Sequence, residues 1–458
     1  MGINMKEDIT FGHLGRIRSS KTNKASRAAV IAAIAVGGTV AVQSTSVVAQ
    51  SRVLEEILVT SRRYEESIND APLAVAVMSD EYLRENRVDS IQDILELTPG
   101  ADWGQFAKAQ PGLSLRGIPG ASYGNASLEH SVSVVYDGVP ATKAFMMTLP
   151  VYDLQRVEVL RGPQGTTFGR NATLGMMHFI SARPSQDQSG AIELSTGERG
   201  YAGLNGYLNG ALTDTLSARL AVNYGDTPGS MDDAATGDPL EDAETTSVRA
   251  SFLWEPSDTF SAYVKAEMVQ DQEFPTVRRG TDTNGLPWLA AAYGNYASPT
   301  DPWEADLSPA ADGAPWEVTR DMRFLTAELV WALDNDISIT SITGHQSGNH
   351  FSLSDAFGTP YDIRDQEVKD EATVFTQEVR IDNAASGNQL RWLVGASLVD
   401  DEQLRIERNE SEPLRSNCNE TTPDACTRNS TLFTDALNTT SAFGIFGEIT
   451  YDISDELT

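Results

Sequence analysis

Few side chains in this chain are of a type and spacing that could do chemistry. Of its 458 residues only two are cysteine and five are histidine. Cys418 and Cys426 lie inside the polar run SNCNETTPDAC, with no other thiol or histidine close in sequence. In an exported chain such a pair favours a disulfide closing a small loop over a metal site. His345 and His350 stand at a spacing that matches no recognised ligand pattern, and His178 reads as a structural residue in an apolar run. The stretch Asp232, Asp233, Asp238, Glu241 and Asp242 offers the hard oxygens that Ca²⁺ takes, and it equally suits a hydrated loop. No Ser/His/Asp arrangement, zinc pattern or phosphate-cradling glycine loop occurs, so neither enzyme activity nor a resident metal or cofactor is expected.

What remains is recognition. Trp103, Gln105, Phe106 and Tyr123 fall in Gly/Pro-rich stretches, and Phe145, Met146 and Met147 follow an Asp137-Gly138 turn. Exposed, they would present a polarisable surface to a bulky ligand; the alternative is packing within their own domain. The run Leu54–Ser61, with Ile57, Leu58 and Val59 at its centre, is extended and apolar enough to pair edge-on with a partner's strand. It would serve as well as the first strand of a domain. In Arg161–Arg170 the glycines permit tight turns, and the arginines at either end can pair with carboxylates.

The elements that must position these residues begin with an export signal. Lys6, Arg16, Arg18, Lys21, Lys24 and Arg27 precede an apolar stretch from Ala28 to Val42, and Val47 and Ala49 suit a cleavage site before Gln50. An uncleaved membrane anchor is the alternative. Cleavage after residue 49 leaves 28 Lys/Arg against 63 Asp/Glu, a net charge of −35 where the whole chain has −31. So acidic a surface excludes nucleic acid as a partner.

Two textures follow. Residues 62–188 read as a compact α/β module, with a helix capped by Ser79 or Asp80 and another over Ser90–Leu97, stopped by Pro99-Gly100. Short apolar strands are expected at Val132–Tyr136 and Val157–Leu160. From residue 189 the pattern changes to period two. In one segment Phe260, Ala262, Val264, Ala266 and Met268 alternate with Ser261, Lys265 and Glu267; in others, apolar positions alternate with Arg219 or Arg249. Ten such strands are expected, near 190–198, 201–212, 215–225, 245–254, 259–269, 322–333, 336–347, 371–382, 388–400 and 440–452. Short turns fall on one side and long polar loops on the other, where only the first link, near Arg199-Gly200, is short. That asymmetry predicts a transmembrane antiparallel β-barrel rather than a soluble sandwich, with Trp254, Phe260 and Trp331 in an interfacial girdle.

Several motifs, in order, resemble those of TonB-dependent outer-membrane receptors. Leu54–Ser61 is similar to the TonB box; Val157–Gly165 continued by Phe168–Thr173 resembles the plug signature. Ser114–Ile118 and Val135–Val139 match two further plug motifs, and Phe375–Arg380 and Phe446–Asp452 resemble barrel strands. The resemblance implies a signal peptide at 1–49, a TonB-box segment at 50–61, a plug at 62–188 and an incomplete barrel at 189–458. It implies that Glu56, Ile57, Leu58, Val59 and Thr60 are gripped by TonB, with its inner-membrane energising complex. It also implies that Arg116 and Arg161 latch the plug, with Glu378 and Glu448 as candidate wall partners or as merely solvated lumen carboxylates. The site would be the outer membrane of a Gram-negative bacterium, in contact with its lipid. The cargo would be a bulky nutrient, a ferric siderophore by the family's commonest use, with a glycan, cobalamin or another metal chelate open. Leu174–Ile180 departs from the family's paired glycines, and its bulk is expected to repack the plug against the wall. A plugged lumen takes about 22 strands, so ten imply a chain lacking later strands and unable to transport alone. The rival readings are an adhesin or passive pore without energy coupling, or a non-functional truncated product.

Overall fold

The computed structural model describes residues 58–59, 63, 66–67, 74–107, 110–119, 130–165, 171–279, 297–307, 316–333, 336–355, 364–383, 389–411, 430–451 and 453. The export signal, Glu56, Ile57, Thr60, Tyr123, Cys418 and Cys426 lie outside them.

Leu58–Val59 (β1) pairs antiparallel with Glu66–Ser67 (β2). Val75–Ser79 (β3) then runs into a short helix, Asp80–Glu85 (α1), in which Tyr82 N–H donates to the Ser79 hydroxyl at 3.3 Å and whose first turn carries Asp80 and Glu81. Both features satisfy the positive end of a helix. The second helix, Ile91–Glu96 (α2), opens on a reciprocal capping box: Asp93 N–H donates to the Ser90 hydroxyl at 3.3 Å and Ser90 N–H to the Asp93 carboxylate at 2.9 Å. Helical spacing brings Ile91, Ile94 and Leu95 onto one face, and all three are buried. Gly100, at φ +78°, turns the chain out of the helix where a side chain would be strained.

Ala101–Ala107 (β4), Gln110–Leu115 (β5) and Ile118–Pro119 (β6) form a small sheet. Val132–Tyr136 (β7), Val139–Ala141 (β8), Leu154–Arg161 (β9) and Gly175–Ser181 (β10) complete a mixed five-stranded sheet in the order β3-β9-β10-β7-β8, with β10 parallel to β7. Asp137 and Gly138, both at positive φ, make the tight β7–β8 turn that an Asp-Gly pair favours. Every residue of β7 and β10 is buried, as a strand covered on both faces requires.

Ten long strands follow: Ser189–Thr196 (β11), Ala202–Thr213 (β12), Leu216–Thr227 (β13), then, after two short strands Met231–Asp233 (β14) and Pro239–Leu240 (β15), Ala243–Ser257 (β16) and Phe260–Glu273 (β17). Past the short Glu304–Ala305 (β18) come Glu317–Ala332 (β19), Ser338–Asp355 (β20), Arg364–Asp382 (β21), Leu390–Ser411 (β22) and Ser430–Tyr451 (β23). The ten pair consecutively and antiparallel from β11 to β23. Among the described residues no helix is long and apolar enough to cross a membrane.

Alternation decides the faces. Along β17, Tyr263, Lys265, Glu267, Val269 and Asp271 are buried, while Val264, Ala266 and Met268 point away. On β19, Val318, Arg320, Met322, Phe324 and Thr326 face inward and Leu325, Leu329 and Trp331 outward. Trp254 and Phe260 meet edge to face at 5.9 Å beside the β16–β17 turn, and Phe260 is paired with Trp331, so the expected girdle is contiguous on that side.

The strands run farther at their loop ends than period two predicts: β21 begins at Arg364 rather than near 371, and β22 continues to Ser411 rather than 400. Beyond the apolar band both faces are polar, so the hydrogen-bonded ladder persists where the sequence pattern fades. Part of the expected loops folds too, since β14, β15 and β18 form a small sheet around Met231, Leu240 and Ala305.

Candidate functional site: the interface between plug and wall

The core of the small domain continues into the wall. Met78, Ile94, Val134, Tyr136, Val159, Met177 and Phe179 share one apolar cluster with Val269, Met322, Phe324, Ala372 and Val374 from the inward rows of β17, β19 and β21. The module therefore sits inside the curve of the ten-stranded sheet. Its Leu174–Ile180 segment, bulkier than expected, supplies β10. Met177 and Phe179 fill this cluster, and Phe179 stacks on Tyr136 at 4.8 Å between centroids. Where the plug crowds the wall, glycine is needed: a Cβ on Gly344 of β20 would lie 2.4 Å from the Val139 side chain.

Around that apolar patch the contacts are ionic and, Arg183–Glu328 apart, largely buried. The Asp137 carboxylate receives Ser181 N–H and the Ser181 hydroxyl, each at 2.8 Å, and faces the Lys265 ammonium of β17. Burial alone would raise this carboxyl, but Lys265, the Ser181 N–H and Arg249 outweigh it and hold Asp137 well below the usual carboxylate range. Arg249 of β16 donates to the Tyr152 and Asp153 carbonyls at 3.2 and 3.1 Å and pairs with Glu267 at 3.0 Å. The Tyr152 hydroxyl donates to the same Glu267 at 2.9 Å. Asp153 holds Arg219 of β13 through two oxygens, one of them 2.9 Å from Nε. Arg183 reaches Glu328 at 2.7 Å, and Arg320 of β19 pairs with Asp271 at 2.6 Å while donating to the Phe145 carbonyl at 3.2 Å. Farther round, Lys143 pairs with Asp401 of β22 at 2.6 Å and Gln346 of β20 donates to the Pro140 carbonyl at 3.1 Å. Arg63, just after the Leu54–Ser61 run, pairs with Glu378 of β21 at 2.6 Å.

Of the expected latch residues, Glu378 takes Arg63 and also Arg380 of its own strand at 3.1 Å. Glu448 faces inward on β23 and accepts the Thr450 hydroxyl at 3.4 Å. Arg116 and Arg161 hold each other's loops: Arg116 donates to the Arg161 carbonyl at 3.2 Å and Arg161 to the Pro99 carbonyl at 3.3 Å. The turns carrying them, with Arg116 itself at positive φ, keep both guanidinium groups within the small domain. The cations that join small domain and wall are therefore other ones: Arg63, Lys143 and Arg183 from within, Arg219, Arg249, Lys265 and Arg320 from the wall. The period-two pattern had set Arg219, Arg249 and Lys265 on the polar face; only their partners were hidden, because those lie far away in sequence.

The expected ligand-contact residues divide. Phe145, Met146 and Met147 are all but fully buried, so in this conformation they form core and present no ligand surface. Their place in the turn over Ala144–Met146 drives apolar side chains against Met322 and Phe324, and the Phe145 ring stacks on His350 at 5.9 Å. Trp103 is half-buried against the same cluster. Gln105 and Phe106 lie on β4. His178 accepts Gly138 N–H at 3.2 Å through Nε2, and burial lowers its pKa, which fits a neutral structural imidazole. Among the described residues no group of three or more His, Cys, Asp or Glu could hold a metal ion.

A small mixed sheet seated inside an antiparallel wall, greasy outside and ionic within, is the architecture of a plugged barrel. Residues 67–176 match the sequence profile of the TonB-dependent Receptor Plug Domain. The iron-regulated outer membrane virulence protein of Vibrio cholerae is 28% identical over 187 residues, 38% of this chain and 27% of the relative. The catecholate siderophore receptor Fiu of Escherichia coli is 26% identical over 160 residues, 35% of this chain and 20% of the relative. The fold is similar to that of the ferric yersiniabactin uptake receptor FyuA of Yersinia pestis, with a TM-score of 0.63 at 16% identity, covering 84% of this chain and 62% of that one. It is also similar to the siderophore receptor PiuA of Acinetobacter baumannii, with a TM-score of 0.64 at 13% identity over 86% of this chain and 57% of that one. The chain thus spans less than a third of the curated relatives' length and about three-fifths of these receptors'.

Proposed function

We propose that this chain is the plug and first barrel strands of a receptor for energised uptake across the outer membrane of a Gram-negative bacterium. Its cargo is a bulky nutrient, and a ferric siderophore is the cargo we favour, since the relatives named above are iron-regulated or siderophore receptors by name. The observation that carries the reading is the seat of the plug. The plug is joined to the wall by buried ion pairs such as Lys143–Asp401, Asp153–Arg219 and Asp137–Lys265, and breaking any of them leaves a buried charge unpaired. Opening needs work from outside, and the segment Glu56–Thr60 gives a periplasmic partner of the TonB type a handle to pull. Catalysis has no part in this reading.

Deletion of Leu54–Ser61 in the receptor that carries this sequence tests it. In a receptor-null strain, ferric siderophore binding at the cell surface should persist and energy-dependent accumulation should vanish. Accumulation that survives the deletion sinks the energised reading and leaves a passive pore. Cells that bind no ferric siderophore and accumulate none leave an adhesin.

A further inference from the structure

A cavity of about 210 Å³ lies between the plug and the β20–β23 wall. Val132, Val135 and Thr142 line it from the plug, and Ile342, Ser397 and Gly444 from the wall. Its lining is mostly apolar, yet His130 Nδ1 and Thr142 Oγ1 are buried beside it without a hydrogen-bond partner. Buried polar atoms left unmade are costly, and they fit a space that a solute with its own donors and acceptors enters.

Two ion pairs bracket this chamber. Arg63 and Glu378 form part of its lining, and strand pairing puts Glu378, Ser397 and Gly444 at one level near the short turns. Asp401 stands on the same inward row of β22 as Ser397 but ~13 Å farther from those turns. Its partner Lys143 directly follows Thr142 in the chain. Both pairs are nearly closed to solvent. By contrast β13, β16 and β17 hold the plug through Arg219, Arg249 and Lys265.

We infer that the chamber is a transit site for the cargo on its way past the plug, closed outward by Lys143–Asp401 and inward by Arg63–Glu378. The class of solute it takes has an apolar body with oxygen or nitrogen groups able to meet His130 and Thr142. Arg63 follows the pulled segment almost directly, so traction withdraws the inner closure first while the clamped β13–β17 face stays seated. The inference rests on the uptake reading for its purpose, but the two closures in series can be tested without any cargo or energy source.

The test is passive entry of nitrocefin, read by a periplasmic β-lactamase, in cells carrying equal amounts of protease-resistant receptor. Arg63→Met removes the inner closure and leaves Glu378 paired with Arg380. Lys143→Met with Asp401→Asn removes the outer one. Each should leave entry near the wild-type rate, because one closure still holds, and the combination should raise it several-fold. A side chain at Gly444 would meet only the Ser397 hydroxyl, at 3.4 Å, and so projects into the chamber. Gly444→Phe in the combined variant should therefore return entry to the wild-type rate. If either single closure leaks as much as both, if the combination does not leak, or if Gly444→Phe leaves the leak unchanged, the transit site is elsewhere. The deletion of Leu54–Ser61 judges the uptake reading separately.

Discussion

Lys265 of the wall and Asp137 of the plug, far apart in sequence, meet as a buried ion pair, with side chains only 2% and 5% exposed. Each alone would be a desolvated charge. Together, with Ser181 and the neighbouring Arg249–Glu267 pair, they hold the tightest turn of the plug against β17.

Removing one member should cost far more than removing both. Lys265→Met leaves Asp137 buried and uncompensated, which corresponds to about 3 kcal/mol of plug seating. The combination with Asp137→Asn should recover most of it. Urea titration of the receptor in detergent, read by protease cleavage of the plug, checks the pattern. Equal losses for the single and combined variants would mean that the pair is not coupled.

The pH profile of seating should show two limbs. His178 has its pKa lowered by burial, so the unfolded plug binds its proton more readily, and stability is lost as pH falls below about 6.5. Asp137 is held below its ordinary value, so its contribution is full above about 4 and is lost as pH falls through its folded pKa. In the same urea assay, His178→Gln should shrink the upper limb, which buried His130 shares, and Asp137→Asn should remove the lower. A profile that both variants leave intact contradicts these assignments.

Close approach at β20 should be intolerant of a single methyl group. In Gly344→Ala the new Cβ falls within 2.5 Å of both Val139 and Thr376, and such overpacking costs about 1–3 kcal/mol. Val139→Ala should restore part of the loss, whereas Gly225→Ala, with open space around it, should be silent. Thermal unfolding of the detergent-solubilised receptor measures all three.

The outward rows should behave as a lipid face. Ala266→Lys puts a charge midway along β17, where a lysine facing hydrocarbon costs about 2–4 kcal/mol, falling to about 0–1 near the interface. Gln270→Lys, toward the loop end of the same outward row, should be tolerated. The amount of heat-modifiable folded receptor in outer-membrane fractions reads the difference, and equal yields for the two would argue against lipid contact.

Much of this was legible in one dimension. Alternation along strands such as Phe260–Met268 set which side chains turn outward, because a strand's side chains alternate whatever it pairs with. Ser90 with Asp93, and Asp137 with Gly138, announced a cap and a turn because those interactions are local. The rows bearing Arg219, Arg249 and Lys265 were likewise readable as polar. Which carboxylate each cation meets was not, since Asp153, Glu267 and Asp137 are chosen by how the plug sits in the wall. The same distance in sequence hid Arg63, whose partner Glu378 comes from β21. Phe145, Met146 and Met147 show the limit from the other side. Their types suit a ligand surface and a core equally, and only the closing of the wall over the plug made them core, because burial is decided by what packs on top of a residue and not by the residue itself.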